Sequence, residues 1–464
     1  MDFRDGIVGA IGNTPLIRLK GPSQATGCTI LGKAEFLNPA GSIKDRAAWA
    51  IIKDAEESGT LRPGGVIVEG TAGNTGIGIA HVANARGYRT VIVIPETQTQ
   101  EKKDALRQAG ASLIEVAAAP YSDDSNYIKY SGRLAAELNE KEPNGAIWAN
   151  QFDNVANRRG HYETTGPEIW EQTGGKVTDV VIAMGTGGTI SGVGRFLKEQ
   201  NPDVQIVGVD ATGSILKEIW ENKGKIPVGV EANTYKVEGI GEDFLPSTTD
   251  LSVVDDIVRV TDKESFVWTR RLVSSEGIFA GGSSGSAVAG AVRYAKGLKK
   301  DRLVVVLLPD SGSRYLSKIF DDKWMRENGF LESEWGEVTL REVLQTKTKS
   351  EMVFASAEDK ISDVVIKMKE YDISQVPVVN GNREVIGLVR EVDLLTHLLE
   401  NEDADAANQQ ITSILQDAPP SLAAHTRLRD AIDEIVRHNV VIVSDGGQPI
   451  GVLSKIDALD FIQR

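Results

Sequence analysis

The sequence of 464 residues is poor in cysteine, in positive charge and in long apolar runs. Its one cysteine, Cys28, excludes an intramolecular disulfide and a thiolate cluster for zinc or an iron–sulfur centre. Because 66 acidic residues outnumber 51 basic ones, the net charge of −15 argues against general binding to nucleic acids or anionic membranes. No run approaches the roughly 20 apolar residues of a membrane helix, and the N-terminus lacks a secretion signal. We therefore expect a cytoplasmic protein without nucleic-acid or membrane partners.

The five histidines are scattered and lack the spacing of metal ligands. They are His81, His161, His397, His425 and His438. We interpret each as a surface or helix-capping histidine and expect no metal site. Hydrophobic residues make up 41% of the chain and charged residues 25%, which is ordinary for folded domains and too apolar for disorder.

Up to about residue 330, short β-branched runs alternate with Ala-rich, charged segments of helical length. The predicted strands are residues 66–69, 90–94, 113–116, 180–184, 206–209 and 303–308. The predicted helices include residues 45–58, 75–86, 100–109 and 264–275. Strands with helix-length spacers indicate βαβ units and a mostly parallel sheet. Ligands of such sheets bind at the carboxyl ends of strands, where glycine loops enter helices.

The C-terminal part of the chain repeats itself. The segment QVPVVNGNREVIGLVREVDLL, from Gln375, is echoed by NVVIVSDGGQPIGVLSKIDAL, from Asn439, and Gly387 aligns with Gly451. In both copies a helical segment precedes a strand, a turn, a second strand and an Asp-containing helix. Two half-domains of this size need each other to bury their apolar faces. We predict a core at 1–325, a linker at 326–345 and repeat copies at 346–401 and 402–464.

One lysine stands where a Pro/Gly turn enters a predicted helix. It is Lys44, in the segment NPAGSIKDR. The positive end of the helix dipole lowers the pKa of an amine at this place, which favours a nucleophile or a Schiff-base partner. From this motif alone, a solvated lysine is the alternative.

Three glycine clusters lie next to predicted helices. They are EGTAGNTG at 69–76, MGTGGT at 184–189 and GGSSGS at 281–286, the last before a helix expected to begin near Ala287. The first two offer backbone N–H groups and threonine hydroxyls to a carboxylate or phosphate. The second lacks both the Walker A lysine and the GxGxxG spacing of a dinucleotide site, so it suits a single phosphate group. Tight turns are the alternative for each cluster, but three such loops in one domain are hard to explain as turns alone.

With NTP at 13–15 and EGIG at 238–241, these motifs resemble, in the same order, the β-family of pyridoxal-phosphate enzymes. This is the cysteine synthase and cystathionine β-synthase group, and the resemblance covers about residues 5–325. It implies an α/β core of fold type II, similar to the tryptophan synthase β-subunit, with two subdomains, and a homodimer. The C-terminal repeat resembles the paired CBS domains of a Bateman module, each built from β-α-β elements.

The resemblance implies that Lys44 forms the internal aldimine with pyridoxal 5′-phosphate and acts as the base at Cα. Asn74 would bond the 3′-oxygen, and Ser283 would face the pyridine nitrogen and leave it largely unprotonated. The implied cofactor-binding residues are Lys44, Asn74, Gly185, Thr186, Gly187, Gly188, Thr189 and Ser283, of which residues 185–189 would hold the phosphate. The implied substrate-binding residues are Thr71, Ala72, Gly73, Asn74, Thr75, Gln151, Glu238 and Glu242.

The implied reaction is β-replacement on an activated L-serine through an α-aminoacrylate. Cysteine synthases join O-acetyl-L-serine and sulfide, whereas cystathionine β-synthases join L-serine and L-homocysteine. Overall likeness, the repeat module and Glu238 favour the second reaction. Two departures from the residues usual in cystathionine β-synthases favour the first reaction. Neutral drift at both positions is the alternative explanation. Ala72 removes a serine hydroxyl that a poor leaving group needs, and Glu242 replaces a tyrosine and should disfavour a nucleophile with its own carboxylate.

We therefore favour cysteine synthase narrowly over cystathionine β-synthase. A serine or threonine dehydratase and a catalytically dead, adenosyl-sensing scaffold are weaker alternatives. Haem is not expected, because no pair of Cys and His ligands precedes the core.

In the C-terminal module, the segment from Ser454 to Asp457 fits the Ser/Thr-x-x-Asp pattern with which such modules hold an adenosine ribose. The equivalent stretch of the first copy, from Arg390 to Asp393, lacks the hydroxyl. One adenosyl site is therefore expected, with S-adenosylmethionine, AMP or ATP as candidate ligands. A purely structural dimerisation module is the alternative.

Overall fold

The structure is a computed structural model that describes residues 3–71, 73–119, 121, 123–331, 336, 338–347, 352–401 and 405–463. The chain divides into two units, Met1–Leu331 and Glu332–Arg464. None of the described helices combines the length and the apolar character that crossing a lipid bilayer requires.

The strands of the first unit form two sheets. They are β1 (Leu16–Arg18), β2 (Thr29–Lys33), β3 (Val66–Gly70), β4 (Arg89–Pro95), β5 (Ser112–Val116), β6 (Ala146–Trp148), β7 (Asp179–Ala183), β8 (Gln205–Ala211), β9 (Asp256–Val260) and β10 (Leu303–Leu307). One sheet has the order β1-β2-β10-β7-β8-β9, and the other has the order β5-β4-β3-β6. Neighbouring strands are parallel except β1, which is antiparallel to β2.

Helices cover both sheets. They are α1 (Lys20–Thr26), α2 (Lys44–Glu57), α3 (Asn74–Arg86), α4 (Gln100–Gln108), α5 (Tyr127–Lys141), α6 (Val155–Gly160), α7 (Gly166–Gln172), α8 (Gly188–Gln200), α9 (Leu216–Glu221), α10 (Asp262–Glu276), α11 (Gly282–Ala295) and α12 (Asp322–Glu327). A π-helical turn, His161–Thr165, joins α6 to α7. Because helices pack on both faces, β3, β7, β8 and β10 are almost wholly buried.

All six predicted strands are present, with ends that differ by one or two residues. The structure adds β1, β2, β6 and β9, which are too short or too polar to stand out in the sequence. The α/β core with two subdomains is confirmed, and it contains two mostly parallel sheets where the strand pattern alone suggests one.

The third glycine cluster differs from the sequence prediction. The helix expected near Ala287 begins at Gly282, so Ser283 lies in its first turn. Glycine and serine have low helix propensity, which hides this start in the sequence. Tertiary packing overrides the propensity, since a Cβ at Gly285 would collide with Ser265 of α10.

The second unit contains two three-stranded sheets, one in each repeat copy. Its strands are β11 (Ala355–Ser356), β12 (Gln375–Val379), β13 (Val385–Arg390), β14 (Ser421–Ala423), β15 (Val440–Asp445) and β16 (Gln448–Ser454). Its helices are α13 (Leu340–Gln345), α14 (Ile361–Tyr371), α15 (Glu391–Glu400), α16 (Leu428–His438) and α17 (Lys455–Gln463). This arrangement confirms the predicted internal repeat.

Each copy packs against a short segment from outside its predicted bounds. Leu344 of α13 packs on the second copy, where a Cβ at Gly451 would lie 2.5 Å from its side chain. Leu415 packs on the first copy, where a Cβ at Gly387 would likewise lie 2.5 Å away. The two aligned glycines therefore make room for equivalent leucines. Because these segments lie outside the copies on which they pack, the domain boundaries given above stay predictions.

Candidate active site

A cavity of about 590 Å³ opens in the first unit, where β3 and β7 end in glycine loops. It brings together predicted site residues that are far apart in the sequence. Those in its wall are Lys44, Thr71, Gly73, Asn74, Thr75, Gln151, Gly185, Thr186, Gly187, Thr189, Glu238, Glu242 and Ser283. Gly188 is buried and packs closely on Asn157. A Cβ at this position would lie 2.5 Å from Asn157 Oδ1. Ala72 lies outside the described residues.

Lys44 is the first residue of α2, and Asp45 closes the turn before it by accepting the Ala40 N–H at 2.6 Å. Burial lowers the pKa of the Lys44 amine, while three carboxyl groups around the cavity oppose this shift. They belong to Glu242, Glu69 and Asp310. Burial is therefore the main cause of this shift. The amine makes no hydrogen bond within the described chain, so it is available to react.

Two of these carboxyl groups have strongly raised pKa values. Burial raises the pKa of Glu69 to about 7, against hydrogen bonds that favour its ionised form. Burial, helped by the charge of Asp243, raises the pKa of Glu242 to about 8. At pH 7 Glu242 is therefore mostly neutral, and the cavity gains negative charge as the pH rises.

The loop after β7 offers unused backbone donors. Gly187 has a φ of +80°, a left-handed conformation that favours glycine, and it caps α8. The described chain provides no acceptor for the backbone N–H groups of Gly185, Thr186 and Gly187. Unpaired N–H groups at a helix N-terminus are a ready site for an anion. The loop therefore fits the phosphate expected from the sequence.

His161 supports this loop from behind, and sequence reasoning missed it. It is not a surface histidine, because it is 2% exposed, and it occupies the C-cap position of α6. Its Nε2 lies 3.2 Å from Thr189 Oγ1, and its Nδ1 lies 2.9 Å from Thr165 Oγ1. Burial lowers its pKa to about 3, so the ring is neutral. No sequence signal marks it, since its partners are defined by the π-helical turn and α8.

The loop after β3 carries the predicted substrate residues. The Thr71 hydroxyl accepts the Gly73 N–H at 3.2 Å, which closes the loop before α3. Thr75 Oγ1 donates to Gln151 Oε1 at 2.5 Å, so these two predicted residues act as one group. Their hydroxyl and amide groups suit the carboxylate of an amino acid.

Glu69 is a second residue that sequence reasoning did not assign. It is 2% exposed and accepts the backbone N–H groups of Asn150 at 2.8 Å and Gln151 at 3.4 Å. Asn150 has a φ of +49°, which is uncommon for a residue with a side chain. Glu69 thus holds the turn that presents Gln151 to Thr75. The sequence signal that could have identified Glu69 is an acidic residue within the apolar run of β3.

Glu238 lies in the cavity wall, but its carboxylate is shared between two lysines. Lys102 of α4 and Lys318 each lie 2.7 Å from it. The charges of both lysines lower its pKa against the effect of burial. Glu238 therefore connects α4 to the segment after β10.

These residues fit pyridoxal phosphate. The Lys44 amine matches an aldehyde partner, and the free N–H groups of residues 185–187 match a phosphate. Asn74 and Ser283 lie in the same cavity and can contact a ring. Among the described residues, no group of three or more His, Cys, Asp or Glu side chains could hold a metal ion. The absence of haem and metal stays a prediction.

A second cavity, of about 620 Å³, lies within the C-terminal unit, and Ser454 and Asp457 line it. The Asp457 carboxylate accepts the Ser454 N–H and hydroxyl, both at 2.7 Å. The Lys347 ammonium lies 3.0 Å from the same carboxylate. In the first copy, the equivalent Asp393 is held by Arg390 through two bonds of 2.8 and 2.6 Å.

Comparisons with known proteins agree with this geometry. The family described as pyridoxal-phosphate dependent enzyme matches residues 7–310, and the CBS domain matches residues 340–400 and 411–464. The chain is 36% identical to a cystathionine beta-synthase of Dictyostelium discoideum, over 99% of this chain and 92% of that protein. It is 46% identical to cysteine synthase 1 of Neurospora crassa, over 70% of this chain and 86% of that protein.

Among solved structures, the crystal structure of O-ureido-L-serine synthase is similar, with 35% identity and a TM-score of 0.62. The match covers 70% of this chain and 100% of that one. The chain therefore belongs to the family of pyridoxal-phosphate dependent enzymes, in its β-replacement group, and carries CBS domains at its C-terminal end.

Proposed function

We propose that this enzyme is a cysteine synthase, which joins O-acetyl-L-serine and sulfide. The observation that carries this choice is the position of Glu242, which lines the cavity and acts on Lys44 through its charge. An acid here offers no cation to the carboxylate of a second amino acid, and it repels that carboxylate once ionised. Sulfide has no carboxylate, but HS⁻ is itself an anion, so the ionised acid disfavours it to a smaller degree than homocysteine.

The residues of the cavity divide the work of this reaction. Bound pyridoxal phosphate supplies an electron sink that makes the Cα proton of the amino-acid substrate acidic. The Lys44 amine, whose pKa burial lowers, takes that proton from Cα. Thr71, Thr75 and Gln151 hold the substrate carboxylate, and the donors of residues 185–187 hold the phosphate. Overall, the bond from Cβ to the acetate oxygen breaks, and a bond from Cβ to sulfur forms.

Cystathionine β-synthase is the second candidate, and a specific observation favours it. The Dictyostelium discoideum relative with that name matches nearly the whole chain, including the C-terminal unit. In addition, the pKa of about 8 leaves Glu242 mostly neutral at pH 7, which weakens its repulsion of homocysteine there. The two activities should therefore differ most above pH 8.

Four parallel reactions of the cofactor-loaded protein test the proposal. O-acetylserine and serine are each combined with sulfide and with homocysteine, and kcat/KM is measured for cysteine or cystathionine. We expect O-acetylserine with sulfide to exceed serine with homocysteine by at least about tenfold, a difference of about 1.4 kcal/mol. The reverse order would establish cystathionine β-synthase. The crossed pairs separate the effect of the leaving group from that of the nucleophile.

The same reactions examine the weaker alternatives. Ammonia and pyruvate released without any thiol would identify a dehydratase, because elimination without addition gives these products. A protein that binds pyridoxal phosphate but turns over none of the four pairs would be the scaffold.

We also propose that the cavity of the C-terminal unit binds one adenosyl ligand. The Asp457 carboxylate can accept both ribose hydroxyls if they replace the Lys347 ammonium. Arg390 occupies the equivalent carboxylate of the first copy through two hydrogen bonds, which favours one site over two. Calorimetric titration of the full chain with S-adenosylmethionine, AMP and ATP tests this. A stoichiometry of two, or no binding of any of the three, would contradict it.

A further inference from the structure

A buried carboxylate lies between two of the predicted cofactor residues. Asp310 follows β10 and is 1% exposed. Its Oδ2 accepts the Asn74 side-chain amide at 2.8 Å and the Tyr315 hydroxyl at 2.5 Å. Its Oδ1 lies 3.4 Å from Ser283 Oγ, the donor of a longer hydrogen bond. Asn74 and Ser283 therefore share one acidic partner, to which the sequence gives no role.

The fold fixes Asp310 through its backbone. The Asp310 carbonyl accepts the Gly281 N–H at 2.9 Å, and Ser42 pairs with Asp310 in an isolated β-bridge. A Cβ at Gly281 would collide with the Asp310 carboxylate, which explains why a glycine precedes α11. Asp310 thus connects the turn before Lys44 to the start of α11. Through Asn74 it also connects both to the loop after β3.

A buried carboxylate in this place determines which atoms its neighbours present. Ionised, it only accepts hydrogen bonds, so the Asn74 amide must turn its Nδ2 toward Asp310. The second N–H of that amide stays available for the cavity. The Ser283 hydroxyl donates to Asp310 only through the longer bond of 3.4 Å, and its single proton can serve either this bond or an unprotonated ring nitrogen. Burial raises the pKa of Asp310, and hydrogen bonds from Tyr315, Asn74 and Ser283 oppose the rise.

Within the described chain, no cation lies within ion-pair distance of Asp310, although the charge of Arg314 lowers its pKa. A fully buried acid without an ion-pair partner costs stability unless its hydrogen bonds compensate. Here all three side-chain donors are polar groups of the cavity wall. The free-energy cost of burying the Asp310 carboxylate therefore arises in the wall of the cavity in which a ligand would bind.

We propose that Asp310 is a positioning residue, which orients the Asn74 amide and the Ser283 hydroxyl toward the ring of bound pyridoxal phosphate. The proposal rests on the cofactor roles of Asn74 and Ser283, and not on the choice between sulfide and homocysteine. Asp310 acts through these side chains and does not itself contact the ring.

The test compares two substitutions of buried aspartates. Asp310→Asn keeps the shape of the side chain but cannot accept from all three donors. Asp179→Asn is the control for a buried aspartate outside the cavity. Asp179 is equally buried and accepts from Tyr294 at 2.8 Å, but it also pairs with Arg302 and lies at the opposite end of β7. Each purified protein is stripped of cofactor and titrated with pyridoxal phosphate. The affinity, the position of the visible absorption band and its pH dependence are measured.

We expect Asp310→Asn to weaken cofactor binding about tenfold and to shift the visible band, because two hydrogen bonds that orient its contacts are disturbed. Asp179→Asn should lower thermal stability without changing the affinity or the band. An unchanged band and affinity in Asp310→Asn, or equal changes in both variants, would overturn the proposal. These readouts do not involve the sulfur substrate, so a wrong substrate assignment would leave them unaltered.

A second variant keeps the proposal testable if Asp310→Asn does not fold. Tyr315→Phe removes one donor to Asp310 and leaves the carboxylate in place. The pH at which the visible absorption band changes should shift, because the hydrogen bond that is lost favours the ionised form of Asp310. A pH profile identical to that of the unsubstituted protein would overturn the proposal.

Discussion

The two cavities of this protein have similar volumes, about 590 and 620 Å³, but they hold their charged groups differently. In the core cavity, burial shifts the pKa values of Lys44, Glu69 and Glu242 toward their neutral forms. In the C-terminal cavity, Lys347 and Asp457 form an ion pair with side chains 32% and 17% exposed. Neutral forms near working pH suit proton transfer, whereas a paired charge suits recognition of a ligand.

Replacing Lys44 should give the largest difference between the two cavities, because it should affect the core cavity only. Lys44→Ala should lower kcat at least about 10³-fold and abolish the visible absorbance of the cofactor-loaded protein, since the base and covalent partner are lost. Absorbance spectra and steady-state rates measure this. Binding of an adenosyl ligand to the C-terminal unit should not change. Lys53→Ala, on the same helix but exposed, is the control and should retain full activity.

The difference between the repeat copies can be tested in the same way. Asp457→Asn should weaken adenosyl binding about 10- to 100-fold, because a charge-assisted hydrogen bond contributes about 1.5–3 kcal/mol. Asp393→Asn should have no effect on binding, since Arg390 already occupies that carboxylate. Calorimetric titration of both variants measures the two affinities. Equal losses in both would show that the copies bind ligand alike.

The raised pKa of Glu242 predicts a pH dependence for the core cavity. Glu242 is neutral below about pH 8 and ionised above it. The KM for homocysteine should therefore rise about fivefold between pH 7 and 9, because like charges then face each other. Glu242→Gln should remove this rise. The uncharged thiol 2-mercaptoethanol is the control nucleophile, and a rise of similar size with it would exclude a charge effect.

The smallest expected effect concerns the support of the phosphate loop. His161→Gln should weaken cofactor affinity about fivefold, the effect of one neutral hydrogen bond to Thr189. Because the pKa of about 3 keeps the ring neutral, the loss should be equal at pH 5.5 and pH 8. His438→Gln, in the C-terminal unit, should leave cofactor affinity unchanged. A loss that grows at low pH would show that His161 acts through charge.

Local motifs predicted most of the fold and many of the residues that line the core cavity. Strand positions, the glycine loops and Lys44 at a helix start are properties of neighbouring residues, so a short window of sequence contains them. The start of α11 was predicted wrongly, because its Gly-Ser segment becomes helical only through close packing on α10. The internal repeat was found since the copies align directly.

Glu69, His161 and Asp310 could not be assigned from the sequence, for a different reason. Each acts through partners that are distant in the chain, and Asn74 and Asp310 are 236 residues apart. The contacts of Leu344 with Gly451 and of Leu415 with Gly387 have the same origin, since each joins segments that are distant in the chain.

The sequence by itself determined the α/β pattern and the internal repeat, and it predicted a reactive lysine and a phosphate loop, because these depend on periodicity and on residues close together in the chain. The tertiary structure decided which acids are neutral, which histidine is buried and which side chains share a partner. Those properties depend on desolvation and on contacts between distant segments, which exist only after the chain has folded.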